Sequence, residues 1–419
     1  MRIGKYNLKI NYNNETIIYN LITKINFKIP VKNNDKEIID YIKINLKENI
    51  DYLKEVLVLV DDDYDDYNEF LKIKNFYNNQ TEKGTFMIHL NYNCNLMCSY
   101  CYQSCIKDRN MFMHQDRLDE TINFILKAVK LNNYNILDIC FIGGEPLIYS
   151  SKILYIINKL KSKLDIKLVY SIITNGTIYN ERILSKLVEN NIINFQITLD
   201  GYKEEHDKLR IYKNNKGSYD KIINNLIKIQ ENFPEIRVSI NCNINVINQD
   251  KIKNLLYELK NKKIKYPVSF SLVFDIEENE KYESRNDLVW LNVHKIALDY
   301  GYKFEPFYRE MYLGCAMTQK NYHIIGVDGN LYKCINAVDN KEYLLTNIKE
   351  YNTEKYNKLG KKFFDYFPKQ KMCRECELLP VCYGGCEYKI KSNGFICNKV
   401  NYYKNDIELI KEMYRRDDE

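Results

Sequence analysis

Three cysteines at the spacing C-x3-C-x2-C, Cys94, Cys98 and Cys101, follow directly on the apolar run at 86–91. Thiolates are the ligands of iron–sulfur clusters, and a [4Fe–4S] cube held by only three of them leaves one iron open for another molecule. A structural zinc site takes four ligands and is closed, so a zinc knuckle or a chance cysteine-rich turn is the competing reading. The chain has thirteen cysteines in all. Three fall in 94–101 and seven in 315–397, which leaves Cys105, Cys140 and Cys242 over. The N-terminus lacks the apolar run of a signal peptide, and no stretch approaches the roughly 18 apolar residues of a membrane span. A cytoplasmic location is expected, and in that reducing compartment metal ligation explains clustered cysteines better than disulfides do.

The pattern around the cysteines is that of an α/β protein. From Thr85 onward, strands are expected at 86–91, 136–142, 167–173, 194–199, 237–243 and 268–273, with helices between them such as 118–131 and 219–230. Such alternation is the signature of a parallel sheet or barrel. Chemistry in β/α barrels collects at the carboxyl ends of the strands, and the cysteine loop follows the first of these. Gly143-Gly144-Glu145-Pro146 follows the second, Thr174-Asn175-Gly176 the third, and Thr198-Leu199-Asp200-Gly201 with Arg210 the fourth. Asn241 and Asn243, ending the fifth, face the same cavity or cap the strand. Arg210 has a guanidinium fork suited to a carboxylate, with a surface ion pair to Asp207 as its bland alternative. His206 reads as structural, and Cys140 and Cys242 as small core residues.

Taken together, the cysteine spacing, Tyr100 before the third cysteine and these strand-end segments resemble the radical SAM enzymes. The resemblance implies a partial (β/α)6 barrel whose cluster is held by Cys94, Cys98 and Cys101, with S-adenosylmethionine (SAM) on the open iron. It also implies Tyr100 near the adenine and the Gly143–Pro146 segment at the methionine amino group. Thr174, Asn175 and Arg210 would then contact the ribose and the methionine carboxylate.

The C-terminal cysteines, Cys315, Cys334, Cys373, Cys376, Cys382, Cys386 and Cys397, resemble the SPASM extension, which carries two auxiliary [4Fe–4S] clusters. By that resemblance Cys373, Cys376, Cys382 and Cys397 hold the distal cluster, and Cys315, Cys334 and Cys386 the proximal one. Three thiolates leave the proximal cube an open iron unless His323, Cys105 or another group closes it. A zinc ribbon is the alternative. Residues 1–83 read as a hairpin around Asn13-Asn14, a third strand near 25–29, and helices near 35–46 and 67–76. Such a small α+β domain resembles leader-peptide recognition domains, or else covers the barrel as a plain extension. The acidic run 61–66 reads as a solvated loop. The expected division is therefore 1–83, a barrel over 84–305, and a SPASM domain over 306–419.

At 419 residues a single core is too small a plan. Its 62 basic and 56 acidic residues, net charge +6, are spread along the whole chain. No basic stripe marks a nucleic-acid partner. The expected function is modification of a ribosomally synthesised precursor peptide, by a thioether cross-link, with an electron donor such as flavodoxin or ferredoxin. An anaerobic sulfatase-maturing enzyme is the alternative enzyme, although its relatives commonly carry an aspartate directly after the Gly-x4-Cys cysteine, where this chain has Ile335. A non-catalytic iron–sulfur carrier or redox sensor is the alternative outside catalysis, and it would have no need of the Gly143–Pro146 and Asp200–Arg210 segments.

Overall fold

The computed structural model describes residues 1–79, 82–273, 287–307, 315–365, 370–395, 397 and 399–418. Two compact units emerge. One gathers Met1–Asn79, Glu305–Cys315 and Asp365–Glu419, the other Gln80–Phe304 and Ala316–Phe364.

In the first unit, β1 (Arg2–Ile3) pairs antiparallel with β5 (Leu59–Val60). Between them β2 (Asn7–Tyr12) and β3 (Glu15–Asn20) form a hairpin in which Tyr12 faces Glu15. Asn13 and Asn14 both have positive φ, 45° and 65°, the conformation a two-residue type I′ turn demands and asparagine tolerates. β4 (Asn26–Ile29) adds the third antiparallel strand. Alternation then sorts the side chains: Leu8, Ile10, Ile17 and Tyr19 enter one core, Ile18 and Ile29 another. α1 (Asp35–Asn45) starts at Asn34, whose side chain accepts the N–H groups of Lys36 and Glu37, and it buries Ile38 and Ile42 in the second core. α2 (Ile50–Glu55), β5 (Leu59–Val60) and α3 (Asp66–Asn78) follow. The acidic run between them is solvated as expected, with Asp61, Asp62, Asp63 and Asp65 exposed, and it is also paired. Asp61 pairs with Lys54 at 2.8 Å, Asp62 with the N-terminal amine at 2.7 Å, and Asp66 with Arg2 at 2.6 Å. Asp65 caps α3 by accepting from Asn68 N–H.

The second unit is built on one sheet. Six strands run parallel in consecutive order: β6 (Lys83–His89), β7 (Ile136–Ile142), β8 (Lys167–Thr174), β9 (Asn194–Thr198), β10 (Arg237–Ile244) and β11 (Val268–Leu272). The connecting helices are α4 (Gln115–Asn132), α5 (Ser150–Lys161), α6 (Glu181–Glu189), α7 (Lys203–Leu209), α8 (Tyr219–Asn232) and α9 (Ile252–Asn261), with α10 (Asp287–Asp299) after β11. Their apolar stripes, such as Leu118, Ile122 and Ile125 of α4, are buried. On the sheet, Ile139, Phe141, Ile172, Ile197 and Ile240 are fully buried while their strand neighbours stay half-exposed. One face is therefore core and the other open.

The six strands expected from the sequence are all present, and three more extend the sheet. β12 (Tyr322–Ile325) pairs parallel with β6, and β13 (Asn330–Tyr332) and β14 (Leu344–Asn347) continue antiparallel. They are short, and no period-2 pattern over three or four residues separates a strand from a turn. α11 (Thr353–Phe364) closes this unit. The C-terminal part of the first unit is made of short pieces, α12 (Lys371–Arg374), α13 (Leu379–Cys382) and α14 (Glu387–Asn393), before the long α15 (Lys399–Asp418).

Candidate functional site

The loop after β6 carries Cys94, Cys98 and Cys101, all half-buried and none in a disulfide. Its backbone is zipped to the segment that follows α7. Met97 N–H donates to Ile211 C=O at 2.7 Å and Ser99 N–H to Leu209 C=O at 3.0 Å, and Leu96 bridges Tyr212. Arg210 lies in the middle of that seam, which is why a residue more than a hundred positions away meets the cysteines. Burial pushes the Cys98 thiol up to about 12, against the pull of the Arg210 charge and with Cys101 and Cys94 adding to the rise. Cys94 Sγ accepts from Leu96 N–H at 3.4 Å and from Asn175 Nδ2 at 3.6 Å.

Gly143 and Gly144 are required by a close approach, and the partner is the cysteine loop's own backbone. A side chain at Gly143, whose φ is 155°, would collide with the Asn91 carbonyl, and one at Gly144 with the Asn93 carbonyl. The two segments are joined by Gly144 N–H to Asn91 C=O at 2.9 Å and Glu145 N–H to Asn93 C=O at 3.0 Å. Glu145 is fully buried. Its carboxylate accepts from Thr174 Oγ1 at 2.7 Å, Asn175 N–H at 2.7 Å and Leu147 N–H at 3.0 Å. Burial raises its pKa, and these donors oppose the rise. Asn175 in turn donates to Asn95 at 2.8 Å and accepts from Thr177. Pro146 starts a one-turn 3-10 helix. Thus the strand-two and strand-three segments clamp the base of the cysteine loop.

A second cluster forms around Asp200, which is fully buried. Its carboxylate accepts from Tyr100 OH, from Asn243 N–H at 2.7 Å and from Asn243 Nδ2 at 3.2 Å, and pairs with Arg210 at 3.5 Å. Arg210 also donates to Tyr100 OH at 2.9 Å. Burial lifts Asp200 to about 6 despite the nearby guanidinium. The bland alternative for Arg210 is overturned, because Asp207 instead accepts the N–H groups of Ser218 and Tyr219, at 2.8 and 2.9 Å. His206 is structural, as expected. Its Nδ1 accepts from Asp200 N–H at 3.0 Å, leaving Nε2–H for Ser218 Oγ at 2.9 Å, which donates to the Arg210 carbonyl at 2.7 Å. The Tyr100 ring packs with Leu209, Val273 and Ile247. Asn91 and Gln103, both buried, belong to the Gly143–Glu145 side of the site, where Asn91 Nδ2 donates to the Glu145 carbonyl at 3.3 Å. Gln103 Nε2 donates to Gly143 C=O at 3.1 Å and to Tyr102 OH at 3.2 Å. Asn91 is a polar residue just beyond a buried apolar strand, a signal that could have marked it.

The C-terminal cysteines divide. Cys334 is half-buried directly after β13, in the second unit, near the Tyr102 hydroxyl. Cys315 and Cys397 are exposed, Cys373 is buried in α12, and Cys376, Cys382 and Cys386 are half-buried, all in the first unit. Burial raises the Cys373 thiol, and the charges of Cys397 and Cys376 add to the rise, so these three lie near one another. His323 is not placed to ligate a cluster. It is fully buried, stacked on Phe86 at 4.9 Å with Tyr351 and Tyr356 around it, and its Nε2 meets Tyr134 OH at 3.3 Å. Cys105 is exposed and donates to Tyr102 C=O. Cys242 is fully buried, and Cys140 only half so.

These residues suit an iron–sulfur cluster and SAM. Three soft thiols converge with no disulfide among them, and Arg210 keeps a buried Nε without a partner beside them. Among the described residues no three of His, Cys, Asp or Glu are close enough to hold a single metal ion. A cube differs in this respect, because each thiolate binds a different iron and the ligands stand farther apart.

A radical SAM superfamily model matches residues 88–281. A cysteine-type anaerobic sulfatase-maturating enzyme of Clostridium novyi is 28% identical over 335 residues, covering 72% of this chain and 87% of that protein. Native anSMEcpe with bound AdoMet superposes with a TM-score of 0.65 at 20% identity, over 79% of this chain and 99% of that one. SuiB of Streptococcus suis bound to precursor peptide SuiA gives 0.57 at 18% identity, over 93% and 97%. No described helix is long and apolar enough to cross a membrane.

Proposed function

We propose, for a chain that belongs to the radical SAM superfamily and is related to the anaerobic sulfatase maturases, that it modifies a ribosomally synthesised peptide by forming a carbon–sulfur thioether. The observation that carries the SAM-dependent part of this reading is the seam between the cysteine loop and 209–212, which sets Arg210 and Tyr100 beside Cys98, while the thioether rests on the three-cysteine proximal set. Cys94, Cys98 and Cys101 hold a [4Fe–4S] cluster, and that cluster with SAM supplies a 5′-deoxyadenosyl radical when bound. Arg210 offers its unpaired Nε to the SAM carboxylate, and Tyr100 and Asp200 hold the guanidinium in place. Glu145, with Gly143, Gly144, Pro146, Thr174 and Asn175, keeps the strand-end loops in register beneath the cofactor.

Cys373, Cys376, Cys382 and Cys397 form the distal auxiliary site and Cys315, Cys334 and Cys386 the proximal one, in a SPASM-type extension. The proximal set would have three thiolates; His323, buried among aromatic rings, is no fourth ligand, and where Cys105 does not close the cube a substrate cysteine would. Bond formation between a substrate carbon stripped of one hydrogen atom and a cysteine thiolate leaves one electron over, which this extension is suited to accept. A flavodoxin or ferredoxin supplies the starting electron. The first unit, with a three-stranded sheet whose edges are β2 and β4, is suited to a leader peptide, since an extended peptide can add to a sheet edge. SuiB, solved with its precursor peptide, supports a peptide substrate.

Sulfatase maturation is the second reading, favoured by the Clostridium novyi relative; Ile335 after Cys334 speaks against it. Co-expression with any short cysteine-containing peptide found encoded beside this gene, followed by mass spectrometry, tests the first. A loss of 2 Da per cross-link is expected, and an unchanged mass with all clusters reconstituted overturns it.

A further inference from the structure

The open face of the sheet carries an unusual lining. Barrel interiors are ordinarily filled by layers of branched apolar side chains. Here the half-exposed positions of β9 and β10 are Asn194, Gln196, Ser239, Asn241 and Asn243, and Ser269 and Ser271 of β11 are exposed, while β8 offers Ser171 between the half-exposed Val169 and Ile173. Gln196 stands opposite Ser239, and Asn243 opposite Ser271. Charge enters this face at the amino ends of the strands, with Lys83 paired to Asp138 at 2.7 Å and with Lys167 and Arg237. From β9 to β11 the carboxyl half, toward the cysteine loop, is polar and neutral, bordered by Ile173 of β8 beside Gln196.

The lining is also connected. Ser271 Oγ donates to Asn241 Oδ1 at 2.9 Å, Asn241 Nδ2 to Asn243 Oδ1 at 3.2 Å, and Asn243 Nδ2 to Asp200 and Tyr100 at 3.2 and 3.3 Å. Amides and hydroxyls thus run without a break from β11 to the Arg210 cluster. Each Asn already spends donors and acceptors on its neighbours, which fixes the amide orientations. The Gln196 amide and the Ser239 hydroxyl make no hydrogen bond among the described residues, so they remain available to a guest.

We propose that this face seats the substrate segment bearing the modified residue, and that the segment is uncharged and hydrogen-bonding, built of residues such as glycine, serine, threonine, asparagine and cysteine. The inference rests on the peptide-maturase reading and specifies its substrate. Peptide N–H and C=O groups satisfy Gln196 and Ser239 at little cost. A lysine or glutamate side chain among the same amides loses water without gaining a counter-charge.

The test uses the reconstituted holoenzyme and any short cysteine-containing peptide found encoded beside the gene, in competition with two single variants that carry Lys or Glu next to the residue found modified. Both charged variants are expected to be processed at least about tenfold more slowly than the parent, which corresponds to about 1.4 kcal/mol. Gln196→Glu is expected to shift the Lys-to-Glu ratio about tenfold toward Lys, by placing a counter-charge in the seat. Ser271→Asp, at an exposed position, repeats the test where Gln196→Glu fails to fold. Equal processing of neutral and charged peptides overturns the inference, as does a Lys-to-Glu ratio that neither substitution moves. A parent peptide that itself stays unmodified overturns the maturase reading, and the inference with it.

Discussion

The two cysteine regions are held in different ways. Cys94, Cys98 and Cys101 lie in a loop whose backbone is bonded to 209–212 and to 143–145, above two fully buried carboxylates that each gather several donors. That site is held by the protein's own hydrogen bonds. Cys373, Cys376, Cys382 and Cys386 sit instead on or beside helices of four to seven residues, α12 to α14. Helices that short are not stable by themselves. They are anchored on one side through Leu378 and Val381, which enter the core of β2 and β3 with Cys376 and Cys382 packed against it. The contrast teaches that one site is organised by strands and the other leans on its ligands, as small metal-bound domains do.

The largest effect expected is loss of chemistry. Replacing Cys94, Cys98 and Cys101 together by alanine should abolish 5′-deoxyadenosine formation, read by chromatography. Cys373→Ala with Cys376→Ala should keep that cleavage while peptide modification is lost, which separates the two regions functionally. Next comes metal removal. Chelation of iron should expose 370–397 to protease, while strands 136–142 and 167–174 stay protected; equal loss of protection in both would break the comparison.

Asp200→Ala leaves the Arg210 guanidinium buried without its counter-charge, a loss of about 3–5 kcal/mol in the barrel unit measured by denaturant unfolding. Asp200→Asn should recover part of it. The smallest effect lies in the first unit, where burial brings Lys74 down to about 8. The folded state gives up that proton earlier than the unfolded chain, so stability should rise as pH climbs from about 8 toward the ordinary lysine value and fall back on return. Lys74→Met should erase that alkaline gain and stabilise the unit at pH 7 by about 1–3 kcal/mol. The Lys74 ammonium over the Tyr383 ring, 4.5 Å from its centroid, works against this gain.

Much of the fold was legible because it follows from local periods. Six strands, their order and the hairpin at Asn13-Asn14 come from alternation and turn chemistry. The strand-end segments were legible too, since β/α folds gather function there. What failed did so at long range. That the Glu145 oxygens would gather Thr174, Asn175 and Leu147 was not visible in the tetrapeptide. Asp207 was the nearest carboxylate in sequence to Arg210, yet Asp200 holds it. His323 looked available beside Cys315, yet β12 turns it into an aromatic box. The acidic run 61–66 is solvated as expected, with Asp61, Asp62, Asp63 and Asp65 exposed, but its pairing with Met1 and Arg2, more than fifty positions earlier, was not legible.

By itself the sequence determined the ligand chemistry and the alternating scaffold, because thiol spacing and hydrophobic period are properties of neighbouring residues. The tertiary structure alone decided the partners: which carboxylate holds Arg210, which backbone the glycines touch, and which face of β8 to β11 stays open and neutral. Those outcomes depend on strand register and on segments joined across a hundred residues, and a one-residue shift in register would reverse them.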